Sequence, residues 1–553
     1  MLGATVTGRP GFTDRLAGVF ENSGAGRVAV ALSRRVVPTH WSSMFAEIAL
    51  FSLIVVFVTG IFLTFFYDPS TTLVEYDGVY VPLQGIEMSR ALDSTLHVTF
   101  DVRGGLLIRQ AHHWAALLLL AALGMHLLTM FFTGAFRKPR QLNWVLVFLI
   151  FVLSLIGGWT GYALPDDMLS GSGLRIVHGV ILGIPVVGTW LSFMVFGGEF
   201  PGSIIANFYP LHVILAPLAT IALVSVYALL VFIQKPPQFA GPGRNNDNVV
   251  GIPLANYAVR SGGLFFLVAG VLTFIAATVT INPIWTYGPA SPSEASAGSQ
   301  PDWYMGFLDG ALRLVPPGWE VLLFGHTLTL AVLAPLSVVG AFLLLVAVYP
   351  FIEGWITGDK RDHHILDRPR NAPVRTAIGV AGVVFYGTLW GAASSDLIAT
   401  LFRLSVEGVI TFHQWMLLLG PLVGFVVAHR VALALQRKDH ELVLHGFETG
   451  RIVRLPGGEY IEVHKPLTPG ERWRRVEYDV YEPFRAEPDA HGRLPLRIRV
   501  RARLSRFFFA DRVVPVTRKE LGDTGPGPGS GSGYIESRSH SKRGGAGGTH
   551  GSS

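Results

Sequence analysis

The chain has 553 residues, of which 50% are hydrophobic and only 15% are charged, and its mean hydropathy is +0.44. This composition is typical of a membrane protein with several spans and excludes a set of ordinary water-soluble domains. The chain contains no cysteine, which excludes an internal disulfide, a cysteine-ligated iron–sulfur cluster and a covalently attached haem on this chain.

Eight apolar segments are long enough to cross a bilayer as helices, which rise about 1.5 Å per residue. They cover residues 45–66, 107–132, 143–164, 206–233, 263–281, 327–350, 376–402 and 411–436. We therefore predict an all-α integral membrane protein with eight transmembrane helices, preceded by a polar lead-in and followed by a charged extension. The first 40 residues lack a continuous apolar core, so no cleavable signal peptide is expected.

Basic residues predict the orientation in the membrane, because cytoplasmic loops carry an excess of lysine and arginine. Clusters lie before the first segment, between the second and third, between the fourth and fifth, and between the sixth and seventh: Arg27, Arg34, Arg35, residues 136–140, Lys235, Arg244, Arg260, Lys360, Arg361, Arg368, Arg370 and Arg375. We expect a multi-pass plasma-membrane protein with both termini in the cytoplasm. The net charge of +6 is explained by these loops and not by nucleic-acid binding.

The second apolar segment contains RQAHHWAALLLLAALGMH, residues 109–126. His112 and His126 are fourteen residues apart, which places them roughly 21 Å apart and within about 40° of one helix face. His113 falls about 140° away from His126. Histidine in hydrocarbon is costly and usually functional, although two histidines satisfied by neighbouring polar groups are the alternative.

The fourth apolar segment carries His212 near its outer end, the depth at which His112 lies on the second segment. Two neutral imidazoles on facing helices are a typical haem clamp in a helix bundle. Arg109, one turn from His112, is a candidate cation for the haem propionates. Gly60 and Gly161 lie at suitable depths to let a flat macrocycle approach the backbone.

From about Pro38 to the end of the eighth segment, the chain resembles the cytochrome b subunit of actinobacterial cytochrome bcc complexes, which carries a C-terminal extension. The resemblance rests on several long, idiosyncratic segments: PTHWSSMFAEIALFS, TGIFLTFFYDPS, RQAHHW, FTGAFRKPRQLNW, GYALPDDMLSGSGLR, FGGEFPG, QFAGPGR, NPIWTYGPASPSEASAGSQPDWY and PPGWE. It implies that the first four helices hold two b haems, with His112 and His212 on the outer iron and His126 on the inner iron.

The resemblance also implies a domain organisation. The expected parts are a lead-in (1–40), a haem-binding domain (41–235), a C-terminal domain (236–436) with a quinol-site loop (282–326), a charged cytoplasmic extension (437–519) and a disordered Gly/Ser-rich tail (520–553). The implied substrate is menaquinol. The implied partners are a Rieske iron–sulfur subunit, a c-type cytochrome subunit, a cytochrome c oxidase, membrane lipid and a second copy in a dimer.

The family oxidises quinol at a Pro-Glu-Trp-Tyr motif, which reads Pro-Asp-Trp-Tyr here, at residues 301–304. Quinol oxidation releases protons, so it needs an acceptor within hydrogen-bonding reach. Asp302 keeps the carboxylate but is one methylene shorter, Tyr304 is a hydrogen-bonding wall, and Glu320 is a second carboxylate. His326 follows nearby. In the alternative reading, Asp302 is a solvated loop residue and Trp303 an interface anchor.

The inner haem site departs from the family pattern. Tyr227 stands where a histidine opposite His126 is expected, and other positions differ as well: Ala46 and Val147 replace glycines, and Thr129 replaces an arginine. A tyrosine ligates iron only as a phenolate, which favours the ferric state. The inner haem is then absent, five-coordinate through His126, or tyrosine-ligated. We expect it to be absent or weakly held, which leaves one haem b.

Two functions follow from these observations. The first is a subunit of a quinol–cytochrome c oxidoreductase that oxidises menaquinol at the outer site and passes electrons through haem b. The second is a divergent paralogue with only the outer haem intact: a partial quinol oxidase, an assembly component or a decayed copy. A transporter is disfavoured, because the sequence shows no paired broken helices and no internal repeat.

Overall fold

A computed structural model of the chain describes residues 24–291, 300–476, 482–488, 494–514 and 516. The predicted Gly/Ser-rich tail, residues 520–553, and most of the lead-in lie outside the described residues. The described chain is predominantly helical, in agreement with the predicted all-α class.

The eight predicted spans are confirmed as eight long apolar helices in the described part of the chain. They are α1 (Met44–Thr64), α2 (Gly105–Thr133), α3 (Gln141–Ala163), α4 (Ile204–Ile233), α5 (Leu254–Thr278), α6 (Leu330–Thr357), α7 (Pro373–Ala393) and α8 (Val406–His445). Helices are the expected form, because backbone groups in hydrocarbon must be hydrogen-bonded within the segment itself.

Several predicted boundaries were wrong by more than a turn. The seventh predicted segment is divided: α7 ends at Ala393 and a separate helix covers Ser395–Phe402, with Asp396 in its first turn. An acidic side chain favours a helix start at that place. Helices α5 and α8 extend past their apolar segments, because the polar residues beyond the hydrocarbon still favour helix.

Helices α1 to α4 form the first half of the molecule, with α2 packed along α1, α3 and α5, and α4 packed on α3. In the second half, α7 packs along α8. Helix α6 joins the halves by contacting α3. We call the two ends of the bundle outer and inner, after the predicted orientation.

The outer end is covered by the connections between α1 and α2, α3 and α4, and α5 and α6. They contain short helices at Arg90–Phe100, Met168–Leu182, Gly188–Phe196, Ile284–Tyr287 and Gly306–Arg313, with paired strands Leu73–Glu75 and Glu87–Ser89. An antiparallel hairpin, Glu320–Leu323 with His326–Thr329, leads into α6. The connection between α5 and α6 brings residues 301–304 to the outer end of α2.

The inner end is held by a buried ion network. Arg375 on α7 donates to Glu353 on α6 at 2.6 Å and to Asp367 at 2.8 Å. Arg137, in the loop between α2 and α3, reaches the same Asp367 carboxylate at 3.2 Å. All four side chains are almost fully buried. A buried charge without its partner is strongly destabilising, so the network fixes how the two halves meet.

At the inner end the remaining strands are short pairs: Val36–Val37 with Ile252–Pro253, and Gln238–Phe239 with Ile365–Leu366. The predicted charged extension is folded where it is described. It contains a hairpin (Phe447–Arg454 with Tyr460–Lys465), helix α9 (Pro469–Val476) and helix α10 (Leu496–Phe508). Asp439 near the end of α8 accepts hydrogen bonds from Arg368, Arg370 and Arg475.

Candidate functional site

Two histidines from facing helices meet at the outer end of the bundle. The ring centroids of His112 on α2 and His212 on α4 are 6.2 Å apart, with an interplanar angle of 74°. His112 Nδ1 donates to the carbonyl oxygen of Val56 at 3.1 Å, and His212 Nδ1 donates to the carbonyl oxygen of Gly157 at 2.9 Å. These bonds fix each tautomer and leave both Nε2 atoms with a free lone pair.

His212 lies in an irregular part of its helix. Residues Leu211–Leu215 form a π turn inside α4, between Pro210 and Pro217. Because proline has no backbone N–H, Pro217 cannot continue the regular hydrogen-bond ladder. Single π turns inside helices are frequently found at functional sites. The turn aims the imidazole of His212 across the bundle at His112.

Arg109 and two glycines complete the outer site. The Nε and Nη2 atoms of Arg109 are buried and have no hydrogen-bond partner among the described residues, and its guanidinium carbon lies 5.6 Å from the ring centroid of Trp285. A Cβ atom at Gly60 would lie 3.0 Å from His112 Cε1, and a Cβ at Gly161 would lie 3.0 Å from His212 Nε2. Each imidazole ring therefore needs a glycine at the facing position, because a Cβ atom there would come too close to the ring.

This outer arrangement fits a haem. A metal ion bound to two imidazole nitrogens at about 2 Å from each places the two ring centroids roughly 6 Å apart. The guanidinium of Arg109, whose Nε and Nη2 atoms have no hydrogen-bond partner among the described residues, would supply the cation that a propionate needs. The predicted set of His112, His212, Arg109, Gly60 and Gly161 is therefore brought together in one place.

The inner pair has a different geometry. His126 Nε2 and the Tyr227 hydroxyl are hydrogen-bonded to each other at 3.0 Å, and their ring centroids are 6.3 Å apart. The hydroxyl oxygen of Tyr227 extends beyond its ring. At a similar centroid distance, the space between the two facing polar atoms is therefore much smaller here than at the outer pair. Two metal bonds of about 2 Å each would need roughly 4 Å between these atoms.

The surroundings of the inner pair are those of a packed apolar core. Val147 is 1% exposed and belongs to a buried cluster that contacts Tyr227. Thr129 donates its hydroxyl hydrogen to the carbonyl oxygen of His126 at 2.8 Å and carries no charge. The guanidinium of Arg140 at this end donates to the carbonyl oxygens of Ala135 and His363. These residues do not fit a second haem.

The Asp302 carboxylate of the outer loop has a partner that the sequence did not predict. The carboxylate oxygens of Asp302 lie 3.0 and 3.2 Å from Nε2 of His113, and both side chains are largely buried. His113 follows His112 directly, and helical spacing predicts only that it lies off the face that carries His126. The missed signal is its direction: it points towards the outer loop, where Asp302 lies.

Tyr304 forms the buried wall of the same loop. Its side chain is 2% exposed and lies in a cluster with Leu117 and Leu155. Its hydroxyl lies so close to α3 that a Cβ atom at Gly158 would come within 2.8 Å. Burial, followed by the nearby Asp302 carboxylate, raises the pKa of Tyr304 well above its usual value. The hydroxyl therefore stays protonated and can donate.

Glu320 is not brought into this cluster. It is exposed on the outer hairpin, where its backbone pairs with Thr329. Among the described residues, it makes no hydrogen bond or ion pair with His113 or Asp302. His326 lies in the second strand of the same hairpin, and α6 begins after it at Leu330.

Comparisons with known proteins identify the family of this chain. The family described as "Cytochrome b(N-terminal)/b6/petB" matches residues 117–289. The cytochrome bc1 complex cytochrome b subunit of Streptomyces coelicolor is 50% identical over 491 residues, which are 88% of this chain and 90% of the relative. This chain belongs to the cytochrome b family.

Other members of the cytochrome b family support the same assignment. The cytochrome bc1 complex cytochrome b subunit of Mycobacterium leprae is 48% identical over 438 residues, 79% of both chains. A chain of a solved structure entitled "Hyperthermophilic respiratory Complex III" matches with a TM-score of 0.56 and 17% identity, covering 76% of this chain and 99% of that one. At this identity the structural match supports the fold alone.

The first prediction tests the outer ligands of this cytochrome b. His112→Ala and His212→Ala should each abolish a low-spin bis-imidazole haem signal, because an axial ligand sets the ligand field of the iron. The measurement is the reduced-minus-oxidised spectrum of the purified complex. His113→Ala should leave the spectrum nearly unchanged, since its Nε2 is bound to Asp302. An unchanged spectrum in either ligand variant contradicts the assignment.

The second prediction tests the bare backbone at Gly161. Gly161→Ala should displace the His212 ring and lower haem retention, because overpacking a tight site costs roughly 1–3 kcal/mol. Gly157→Ala, one turn earlier on α3, is the matched control, since a Cβ there meets nothing within 4 Å. The measurement is the haem-to-protein ratio after purification. Equal haem retention in the two variants would contradict the role of Gly161.

Proposed function

We propose that this chain is the cytochrome b subunit of a respiratory quinol–cytochrome c reductase and that it takes part in quinol oxidation at its outer end. The observation that carries the proposal is that His112 and His113, neighbours on one helix, face two different partners. His112 faces His212, whereas His113 faces Asp302. A haem-ligand position and the partner of the proton acceptor Asp302 are thus neighbouring residues on α2.

The chain's own residues supply binding and proton transfer. Asp302 accepts the proton of a quinol hydroxyl, and the bond from His113 holds its carboxylate in place. This bond supports the shorter side chain of aspartate in the position where the family has glutamate. The protonated hydroxyl of Tyr304 lies beside the same Asp302 carboxylate and forms a hydrogen-bonding wall of the quinol site. Glu320, exposed on the hairpin and outside this cluster, has no part in the proposed first proton transfer.

His112 and His212 would hold the iron of an outer haem, Arg109 would pair with a propionate, and Gly60 and Gly161 would leave clearance. A haem b bound there supplies a one-electron acceptor. Because the chain has no cysteine, an iron–sulfur centre and a c-type haem belong to other chains.

The assembly follows from the same proposal. We infer a plasma-membrane complex with a Rieske iron–sulfur subunit, a c-type cytochrome subunit and a cytochrome c oxidase, built on a dimer of this chain. Both termini are cytoplasmic, because the basic clusters lie at the inner end. The similarity to actinobacterial relatives favours menaquinol as the substrate. The proposed domain limits are 1–40, 41–235, 236–436, 437–519 and 520–553.

A second candidate function is favoured by one observation, the hydrogen bond between His126 and Tyr227. If the inner position holds no haem, this chain has no ordinary route for electrons across the membrane. The chain is then a divergent paralogue with the outer haem alone: a partial quinol oxidase, an assembly component or a decayed copy. The two functions are distinguished by the number of haems per chain and by whether electrons cross the membrane through this chain.

The third prediction tests the proton acceptor. Asp302→Asn should lower quinol oxidation by about 10²-fold or more, the usual range for loss of a general base, with unchanged haem content. His113→Ala should also lower the rate, because Asp302 loses its partner. Asp302→Glu, which restores the family residue, should retain activity. The measurement is steady-state quinol–cytochrome c reduction by the purified complex. Full activity of Asp302→Asn would move the role to Glu320 or His326.

The fourth prediction is that the purified chain carries about one haem b and not two. The direct bond between His126 and Tyr227, the bulk of Val147 and the absence of charge at Thr129 all act against an inner haem. The measurement is haem per chain, with potentiometric titration of each signal. The remaining signal should be lost in His212→Ala and kept in His126→Ala.

The reverse substitution sharpens this test. The combination Tyr227→His with Val147→Gly restores an imidazole ligand and the clearance, so it should raise the haem content towards two. Two bis-imidazole signals of different potential in the unmodified chain would refute the one-haem proposal. They would also support the ordinary two-haem reductase.

A further inference from the structure

Helix α10 in the C-terminal extension has two faces of different character. One face is buried against the rest of the protein: Ala502, Ser505 and Phe508 are each less than 10% exposed, and α10 packs on α6. Ser505 accepts a hydrogen bond from the backbone of Phe484 at 2.9 Å. The guanidinium carbon of Arg501 lies 3.9 Å from the ring centroid of Phe484. These contacts fix which face of α10 points outward.

The outward face of α10 is an apolar stripe. Leu496, Val500, Leu504 and Phe507 are between 38% and 69% exposed. At about 100° per residue, all four lie within roughly 40° of the direction of Val500. The opposite face of this helix is anchored, and the exposed row consists of large apolar side chains. Such a row indicates a surface that is covered in the working protein.

Arginines border the stripe on both sides. Arg497 lies about 60° to one side of Val500 and Arg503 about 60° to the other, with Arg499 and Arg506 further round. The helix sequence, LRIRVRARLSRFF, contains no acidic residue. None of these four arginines makes an ion pair with any other residue that the structure describes. Their charge is therefore available to an anionic partner.

The stripe lies at the depth of the membrane surface. The ring of Phe507 stacks on that of Phe425 in α8, with 6.3 Å between centroids. Phe425 is nineteen residues from the start of α8, or roughly 28 Å along the helix, close to the hydrocarbon thickness of about 30 Å. Arg430, the first arginine of α8, follows within two turns. The stripe is thus continuous with the lipid-facing side of a spanning helix.

We propose that α10 is an interfacial helix that lies in the inner leaflet of the membrane and binds anionic lipid headgroups. The apolar stripe enters the boundary of the acyl chains, and the bordering arginines extend to the phosphate groups. A basic amphipathic helix of this type gains about fivefold in membrane affinity for each arginine near an anionic surface. The helix would hold the C-terminal extension flat against the membrane.

The experiment uses the absence of cysteine from the chain. Val500→Cys is introduced into the whole complex, spin-labelled, and reconstituted into nanodiscs of phosphatidylcholine with or without phosphatidylglycerol. Labelling of the unmodified complex gives the background from other subunits. The label should be accessible to oxygen and protected from a water-soluble nickel chelate. Leu504→Cys is a second stripe position if the first variant fails to fold.

Two controls make the comparison specific. Ile452→Cys, 68% exposed on the inner hairpin, should remain accessible to the nickel chelate. Arg497→Gln with Arg503→Gln should raise several-fold the phosphatidylglycerol fraction needed for half-maximal protection at Val500. Arg451→Gln with Arg454→Gln, on the same hairpin as Ile452, should leave that fraction unchanged. Haem content and quinol oxidation should not change in any of these variants, so the result does not depend on the proposed function.

Three results would overturn the proposal. Full nickel accessibility of the Val500 label in phosphatidylglycerol nanodiscs would show a solvated face. Protection from both reagents, independent of lipid composition, would show a protein contact with another subunit or a second copy. Protection that is insensitive to phosphatidylglycerol and to the arginines would leave an apolar contact without headgroup recognition.

Discussion

The three imidazoles of helix α2 each have a hydrogen-bond partner on one ring nitrogen, because a polar group left unpaired in a membrane interior is costly. The other ring nitrogen of His126, Nδ1, is buried without a partner among the described residues. His112 donates to the carbonyl oxygen of Val56, His113 is paired with Asp302, and His126 is hydrogen-bonded to Tyr227. Each of these bonds ties α2 to a different element: α1, the outer loop and α4. The positions of the two candidate sites therefore depend on how these three requirements are met together.

The outer and inner pairs show how a similar ring separation supports different chemistry. The ring centroids are 6.2 Å apart in the outer pair and 6.3 Å apart in the inner pair. Imidazoles leave room between them for a metal ion, whereas the tyrosine hydroxyl occupies that room. A single side chain thus changes a cofactor site into a structural hydrogen bond. The buried side chain of Val147 also fills space beside Tyr227, so a second position agrees with the loss of a cofactor site there.

The two ends of the molecule use charge in opposite ways. At the outer end, two charged side chains lie next to the site: Arg109, whose Nε and Nη2 atoms have no hydrogen-bond partner among the described residues, and Asp302, which pairs with His113. At the inner end, Arg137, Asp367, Arg375 and Glu353 neutralise one another in a buried network. The first arrangement leaves charge available to ligands, and the second uses it to hold the helices. The exposed arginines of α10 add a third use, at the membrane surface.

The sequence alone predicted the eight spans, which the structure confirms, and showed the departure at Tyr227, because hydropathy and helical spacing are local properties of the chain. It also named the outer histidines, whose rings the structure brings face to face. It did not determine that α7 ends at Ala393, that Glu320 and His326 lie on a hairpin, or that the charged extension folds into a hairpin and helices. The pairing of His113 with Asp302 joins residues 189 positions apart. Only the tertiary structure decided it, since spacing along one helix gives the direction of a side chain but not the partner that the rest of the fold delivers to it.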